Sequence, residues 1–270
     1  MEKHLKIGLD IGSTTVKMVV LSSQGEMLYS KYKRHLSDIK STVLSMMGRA
    51  YEHYPEAMIS ILTTGSGGLS VSKWLDVGFI QEVVACAKTV EHLIPKTDVA
   101  IELGGEDAKI TYFESGSIDQ RMNGTCAGGT GAFIDQMASL LQTDAMGLNE
   151  LAKSYKVIHP IAARCGVFAK TDIQPLINEG AAKEDIAASI FQAVVNQTIS
   201  GLACGKPIRG HVAFLGGPLY FLSELRNRFV DTLNLTKEQT IIPDHSQLFV
   251  ATGAAMASAQ EEPLRFEELY

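Results

Sequence analysis

The sequence has little of what marks several common classes of protein. Its 270 residues include four cysteines and a single tryptophan, and no two cysteines form a Cys-x-x-Cys pair. So few cysteines favour free, catalytic or metal-bound thiols over a disulfide framework. No long basic run is present and the formal net charge is -6, which argues against general nucleic-acid binding.

We also expect no stretch of the sequence to cross a membrane. Residues 1–5 lead into a predicted strand almost at once and contain no apolar signal core. We therefore expect a cytoplasmic protein that has no membrane partner. The hydrophobic fraction of 46% fits a well-packed chain of one large or two medium domains.

The sequence does contain one nine-residue pattern twice, at residues 9–17 and 101–109. Each copy reads apolar, acid, apolar, Gly, a small residue, two polar residues, a small or apolar residue and Lys. A further strand-like run and a turn follow each copy, so three-stranded meanders are predicted over residues 5–32 and about 98–121. Alternating strand and helix signals elsewhere predict an α/β protein built from two similar half-domains.

The glycines of these repeats suit phosphate binding, which needs backbone N–H groups that point into a small space. Asp10 and Glu102 lie at the ends of the two first strands, where a carboxylate could hold Mg²⁺ through water. The alternative for either copy alone is an ordinary hairpin turn beside a buried acid. A third glycine turn follows a predicted buried strand and is suited to the adenosine part of a nucleotide. The cofactor-binding candidates are Gly12, Ser13, Thr14, Thr15 and Lys17 of the first loop, Gly104 and Gly105 of the second, and Gly216, Gly217 and Pro218 of the third.

Two further segments place a cysteine directly before a predicted helix, at Cys126 and Cys165. The partial positive charge of a helix N-terminus lowers a thiol pKa, so both cysteines are candidate ligands of a soft metal. An iron–sulfur cluster usually takes about four cysteines, which a two-fold homodimer would supply at two per subunit. For each cysteine alone the alternative is a small buried hydrophobe. Cys86 and Cys204 lie within apolar helices and are predicted to be core residues.

These motifs together resemble a known family. The phosphate loops and acids are similar to those of the actin, Hsp70 and sugar-kinase superfamily. That resemblance implies duplicated ribonuclease H-like domains with a nucleotide cleft between them. Residues 123–131 and 164–169 resemble the ATP-dependent activators of 2-hydroxyacyl-CoA dehydratases and the benzoyl-CoA reductase ATPase subunits, the BadF/BadG/BcrA/BcrD type. The expected lobes are residues 1–94 plus 254–270, and residues 95–253, which carry the two candidate cysteines.

The resemblance implies a homodimer that binds ATP with Mg²⁺ and holds one bridging [4Fe-4S] cluster on Cys126 and Cys165. ATP binding and hydrolysis would then drive the transfer of one low-potential electron. Its donor would be a ferredoxin or flavodoxin, and its acceptor a partner iron–sulfur dehydratase or reductase. Asp10, Glu102 and Glu106 are the catalytic candidates.

The chain departs from the small activators at two of these positions. They usually have Asp where Glu102 stands and Gln where Glu106 stands. Glu106 could position or deprotonate the attacking water, although a carboxylate beside a γ-phosphate is electrostatically awkward. These variants look more like the first ATPase module of the large fused activases.

Two other functions fit the same loops. A small-molecule kinase would need a carboxylate base for a substrate hydroxyl, for which Asp107 or Asp172 could be proposed. An actin-like or chaperone-like module would use the nucleotide only to change shape. The acidic and apolar residues 261–266 are predicted to form a tail or the start of a linker.

Overall fold

The computed structural model describes residues 4–114, 117–123, 128–162 and 166–269. The chain divides into two compact units, the first formed by Met1–Pro95 with Leu248–Tyr270 and the second by Lys96–Gln247. The second unit is thus inserted between two parts of the first. Each unit contains its own mixed sheet with helices packed on it.

Within the described residues, the first unit consists of a six-stranded sheet and four α-helices. The strand order is β11-β4-β1-β2-β3, with β5 also paired to β4. Its strands are β1 (His4–Ile11), β2 (Thr15–Leu21), β3 (Met27–Arg34), β4 (Met58–Thr64), β5 (Gly78–Phe79) and β11 (Leu264–Arg265). Its helices are α1 (Ile39–His53), α2 (Gly68–Leu75), α3 (Glu82–Leu93) and α10 (Phe249–Ala257).

The described part of the second unit has a five-stranded sheet in the order β10-β9-β6-β7-β8. Its strands are β6 (Val99–Leu103), β7 (Ala108–Glu114), β8 (Ser117–Met122), β9 (Val212–Leu215) and β10 (Thr240–Ile241). Its α-helices are α4 (Gly131–Leu140), α5 (Ala145–Ala152), α6 (Gly166–Asn178), α7 (Lys183–Thr198), α8 (Gly217–Phe221) and α9 (Ser223–Leu233). A π-helical segment, Ile199–Ala203, extends α7.

The repeated sequence pattern corresponds to a repeated topology. In each unit three antiparallel strands follow one another, β1-β2-β3 in the first and β6-β7-β8 in the second. A later strand, β4 or β9, then runs parallel to the first of the three. A short strand, β5 or β10, runs parallel to that later strand in turn. The two half-domains predicted from the sequence therefore share one strand order.

The two faces of β2 are covered by different helices. Met18 and Val20 belong to the core cluster that contains Val43 of α1, whereas Val19 packs with Ala251 of α10. Because alternate residues of a strand point to opposite faces, α1 and α10 lie on opposite sides of this sheet. A strand that is buried on both faces reads as a continuous hydrophobic run.

Helix α10 packs on its neighbours with almost no free space. A Cβ atom on Gly8 of β1 would lie 2.0 Å from the carbonyl oxygen of Ala251. A Cβ atom on Gly253 of α10 would lie 1.8 Å from the carbonyl oxygen of Ala85 in α3. Both positions therefore require glycine, because any side chain would displace backbone.

Among the described residues, Lys183–Ala203 is one helical stretch long and apolar enough to cross a membrane, and 67% of its most apolar window is buried. It comprises α7 and the π-helical segment. Ile190, Phe191 and Val194 are fully buried in the core of the second unit. Its hydrophobic composition is thus explained by its place in a protein interior.

Two expectations from the sequence are wrong. Residues 261–266 do not all form a free tail: Leu264–Arg265 pairs with β4, and Phe266 is fully buried with its ring 5.7 Å from that of Tyr51. Cys204 is exposed rather than in the core, because the helical segment ends there in a left-handed conformation with φ of 47°. Cys86 is buried, as predicted.

Candidate functional site

The two copies of the repeat form hairpins that are closed by the same hydrogen bond. In the first unit the N–H of Gly12 donates to the carbonyl oxygen of Thr15 at 2.9 Å. In the second unit the N–H of Gly104 donates to the carbonyl oxygen of Asp107 at 2.7 Å. These residues occupy the same positions of the nine-residue pattern, so the sequence repeat encodes one turn geometry twice.

The tips of the two hairpins differ in chemistry. The first tip consists of Ser13, which is exposed, and Thr14, which is half-buried. The second consists of Gly105, which is half-buried, and Glu106, which is exposed. One hairpin therefore offers hydroxyl groups beside its backbone N–H groups, whereas the other offers a bare backbone and a carboxylate.

Each predicted acid lies opposite the predicted lysine on the neighbouring strand. Asp10 is in register with Lys17, whose Nζ lies 2.7 Å from Oδ2 of Asp10. Glu102 is in register with Lys109, but there Nζ lies 2.7 Å from Oδ2 of Asp107 and 3.9 Å from Oε1 of Glu102. Asp10 is only 3% exposed, so its ion pair is largely shielded from water. Lys17 thus neutralises the acid of its own hairpin.

A second glycine turn follows the parallel strand in each unit. Gly65 has φ of 94° and Gly216 has φ of 89°. A Cβ atom would lie 2.4 Å from the carbonyl oxygen of Ile11 at Gly65, and 2.1 Å from that of Leu103 at Gly216. Ile11 and Leu103 occupy the same position of the repeat, so the two turns are equivalent.

Gly216 is among the candidates predicted from the sequence, whereas Gly65 is not. Residues 65–67 follow the buried strand β4 and lead into α2, just as the Gly216 turn follows β9 and leads into α8. That shared context is the signal that could have identified Gly65. The N–H of Gly67 also donates to the carbonyl oxygen of Ile11 at 2.9 Å, which fixes this turn against β1.

His35 follows β3 and holds the first hairpin at two points. Its backbone N–H donates to the carbonyl oxygen of Thr14 at 3.2 Å, and its ring Nε2 lies 3.2 Å from the carbonyl oxygen of Gly12. The N–H of Ser37 donates to Nδ1 at 3.1 Å, so Nδ1 is the unprotonated nitrogen. Nε2 therefore carries the proton and donates it to Gly12. A lone histidine after a strand carries no sequence pattern, which is why it was missed.

Buried polar atoms that lack partners lie around the Gly216 turn. Among the described residues, Oγ of Ser246, Oε1 of Gln247 and Nε of Arg226 are buried and accept or donate no hydrogen bond. The backbone of Ser246 accepts the N–H of Gly216 at 3.2 Å, and Nη1 of Arg226 donates to the carbonyl oxygen of Leu219 in α8. Because buried polar groups are nearly always satisfied, these atoms are candidate ligand contacts.

Cys126 and Cys165 lie outside the described residues, as do their neighbours 124–127 and 163–164. Asn123, which precedes residues 124–127, is held by two hydrogen bonds. The N–H of Asn123 donates to the carbonyl oxygen of Ala108 at 3.1 Å, and Oδ1 of Asn123 accepts the N–H of Ala108 at 2.7 Å. Asn123 is thus attached to the strand that leaves the second hairpin.

Helix α4, which follows residues 124–127 in the chain, is attached to the same hairpin. The N–H of Gly131 donates to the carbonyl oxygen of Gly104 at 3.0 Å, and the N–H of Ala132 donates to that of Gly105 at 2.7 Å. These N–H groups belong to the first turn of α4, where no partner exists within the helix. Helix α4 therefore begins directly on the second glycine hairpin.

The described residues contain no group of three or more His, Cys, Asp and Glu side chains that could hold a metal ion. Asp10 nevertheless fits a hydrated Mg²⁺, which keeps several waters and needs few protein ligands. A Cβ atom on Gly65 would lie 2.6 Å from Oδ1 of Asp10, so glycine keeps the space beside this oxygen open. The residues at this position thus suit a small hard cation.

Two units with one strand order, each with a glycine hairpin and a second glycine turn, have the architecture of the actin, Hsp70 and sugar-kinase fold class. A solved ROK family glucokinase from Streptomyces griseus, in complex with glucose and AMPPNP, shares the fold with a TM-score of 0.51. The match covers 95% of this chain and 99% of that one at 12% identity, so it shows the fold alone.

Within that class, the chain belongs to the BadF/BadG/BcrA/BcrD ATPase family, whose sequence model matches residues 7–258. It is 30% identical to the 2-hydroxyisocaproyl-CoA dehydratase activator of Clostridioides difficile, over 94% of this chain and 95% of that protein. It also matches the crystal structure of Acidaminococcus fermentans (R)-2-hydroxyglutaryl-CoA dehydratase component A, with a TM-score of 0.83, 25% identity and 98% of both chains covered. The fold class and family predicted from the sequence are confirmed.

Proposed function

We propose that this protein is the ATP-dependent reductase component of an iron–sulfur enzyme such as a 2-hydroxyacyl-CoA dehydratase. It would act in the cytoplasm as a homodimer that holds one bridging [4Fe-4S] cluster. The observation that carries the proposal is the attachment of both flanks of the Cys126 segment to a glycine hairpin, in a member of an ATPase family. Similar proteins named as dehydratase activators support the choice of partner.

In this proposal the two hairpins bind the phosphates of ATP. The donors would be the N–H groups of Ser13, Thr14 and Gly105 together with the hydroxyls of residues 13–15, since the N–H groups of Gly12 and Gly104 already close the two hairpins. The turn at Gly216, Gly217 and Pro218 takes the nucleoside, since Ser246 and Gln247 place partnerless buried polar atoms there. A nucleoside hydroxyl or base nitrogen would satisfy those atoms.

The acids supply the remaining groups for hydrolysis. Asp10 would hold Mg²⁺ through water, and the ion would offset the charge of the phosphates. Glu102 is the matching acid of the second hairpin. Glu106, exposed at the hairpin tip, would orient the attacking water. The pairing of Lys17 with Asp10 limits the net negative charge that the phosphates meet.

A substitution of His35 tests the role of the first hairpin. We expect His35→Ala to raise the KM for ATP about five- to tenfold, since it removes a hydrogen bond of about 1 kcal/mol that fixes Gly12. His35→Gln keeps an N–H at the end of its side chain and is expected to recover most of the wild-type KM. Steady-state phosphate release at varied ATP measures both. His53→Ala, which alters an exposed histidine, is the control; an unchanged KM in His35→Ala would contradict the assignment.

The second hairpin provides a physical link from the nucleotide to the cysteine segment. Asn123 is bonded to Ala108, just after the hairpin, and the first N–H groups of α4 are bonded to Gly104 and Gly105. A shift of the hairpin on nucleotide binding would therefore move the residues on both sides of Cys126. Differential binding of nucleotide to the two arrangements is the energy source for such a change.

Cys126 and Cys165 from each of two subunits would be the thiolate ligands of the cluster, which when bound supplies a site for a single electron. One electron would enter from a ferredoxin or flavodoxin and one would leave to the partner enzyme, while ATP is hydrolysed to ADP and phosphate. Helix α6 begins at Gly166, the residue after Cys165 in the sequence.

Metal analysis of anaerobically purified protein tests this proposal. We expect a dimer in solution with about four iron and four sulfide ions per dimer. Cys126→Ser and Cys165→Ser are each expected to lose most of this iron, because each substitution removes two of the four ligands from the dimer. Cys204→Ser is the matched control, since Cys204 is an exposed cysteine that the proposal does not use.

The competing outcomes are distinct. Iron-free wild-type protein that still hydrolyses ATP would remove the electron-transfer proposal and leave the ATPase intact. Full iron content in either of the two cysteine variants would show that the ligands have been misassigned.

A further inference from the structure

Two neighbouring threonines at the end of β4 differ in how their hydroxyls are satisfied. Oγ1 of Thr63 donates to the carbonyl oxygens of Gly68 and Gly78 at 3.1 and 3.2 Å. Oγ1 of Thr64 is buried and has no hydrogen-bond partner in the part of the chain that the structure describes. Both residues are fully buried. A buried hydroxyl that the protein itself leaves unsatisfied points to a ligand or an ordered water.

The strand register places Thr64 beside the predicted catalytic acid. Thr64 of β4 is the parallel partner of Asp10 of β1, so their side chains leave the same face of the sheet. The adjacent Gly65 keeps the space next to Oδ1 of Asp10 open, while Oδ2 of Asp10 is taken by Lys17. Oγ1 of Thr64 and Oδ1 of Asp10 thus belong to paired residues on neighbouring strands.

The second unit lacks this hydroxyl. There the parallel partner of Glu102 is Leu215, the register equivalent of Thr64. The two halves share a hairpin, an acid and a glycine turn, but only the Asp10 half has a hydroxyl at this position. The asymmetry assigns the cation to the Asp10 half, because a leucine cannot bind water.

We infer that Oγ1 of Thr64 binds a water molecule in the coordination shell of the Mg²⁺ that Asp10 holds. The inference rests on the proposed binding of Mg²⁺ with ATP. Mg²⁺ keeps most of its water ligands, and those waters need fixed polar groups to orient them. A hydroxyl suits this role because it accepts or donates one hydrogen bond and adds no charge. Thr64 is a positioning residue in this scheme.

Paired valine substitutions at the two threonines test the inference. The measurements are thermal unfolding without ligand, and ADP affinity by calorimetry with Mg²⁺ and with a chelator. For Thr64→Val we expect an unfolding temperature equal to or above that of the wild type. Its ADP affinity in chelator should equal that of the wild type. The increase in ADP affinity that Mg²⁺ causes should be about tenfold smaller than in the wild type. Thr64→Ser should restore that gain. For Thr63→Val we expect a lower unfolding temperature and a full gain from Mg²⁺.

Each alternative result is decisive. A full gain from Mg²⁺ in Thr64→Val, or an unfolding temperature as low as that of Thr63→Val, would overturn the role of Thr64 alone. Absence of any Mg²⁺-dependent nucleotide binding by the wild-type protein would overturn this inference together with the proposed nucleotide site.

Discussion

The variant Asp10→Asn is expected to hydrolyse ATP about 10²–10³ times more slowly than the wild type. Asparagine keeps the shape of the side chain but removes the negative charge that would hold Mg²⁺ at the end of β1. The ammonium of Lys17, 2.7 Å away, would then be left without its acid, and the site would become more positive. Nucleotide affinity in the absence of Mg²⁺ should therefore be equal or higher, while kcat falls.

Phosphate release at saturating Mg²⁺ and ATP, together with calorimetry of ADP binding in chelator, separates these two effects. Asp38→Ala is a suitable control, because the carboxylate of Asp38 accepts the N–H of Ser41 at 3.1 Å and caps α1. It weakens a helix in the same unit, and it should leave kcat unchanged. If Asp10→Asn keeps the wild-type kcat, Asp10 cannot be the residue that holds the metal.

Gly216→Ala is expected to destabilise the second unit by about 3–4 kcal/mol and to abolish nucleotide binding. The left-handed conformation of Gly216 alone costs an alanine about 1–2 kcal/mol. The added methyl group would also lie 2.1 Å from the carbonyl oxygen of Leu103, so the turn must move away from β6. For a unit of this size the unfolding temperature should fall by about 6–16 °C.

Gly180→Ala isolates the contribution of the close contact. Gly180 has φ of 79°, in the same left-handed region, but a Cβ atom there would meet nothing within 4 Å. This variant should lose only the conformational cost, about 1–2 kcal/mol, and should bind nucleotide normally. Equal losses of stability in the two variants, measured by thermal or urea unfolding, would show that the contact with Leu103 does not constrain the turn.

The parts of the fold that the sequence predicted are those set by local patterns. Each strand–glycine–strand repeat carries its own register, because acid and lysine fall opposite each other once the turn at Gly12 or Gly104 is made. The alternation of strand and helix signals along the chain likewise predicted the α/β class. The resemblance to a known family then narrowed this class to the actin, Hsp70 and sugar-kinase fold.

The parts that the sequence did not predict depend on contacts between distant residues. Thr64 is a candidate site residue because it is paired with Asp10 on the neighbouring strand. No local sequence pattern encodes that pairing. His35 acts through the carbonyl oxygen of Gly12, which lies in the β1–β2 hairpin, 23 residues earlier in the chain. The two-residue strand β11 is defined by its pairing with β4, and Phe266 packs in the core of the first unit beside Tyr51.

The insertion of Lys96–Gln247 between two parts of the first unit has a consequence for the order of events during biosynthesis. Domains tend to fold as they leave the ribosome, starting from the N-terminus. Strand β1 emerges early, yet α10, which packs against Gly8 of β1, is translated only after the whole inserted unit. The inserted second unit can therefore complete its core before the first unit does. Until α10 is made, the face of the first sheet that contains Gly8 stays exposed. This interval is when a nascent chain has most need of a chaperone.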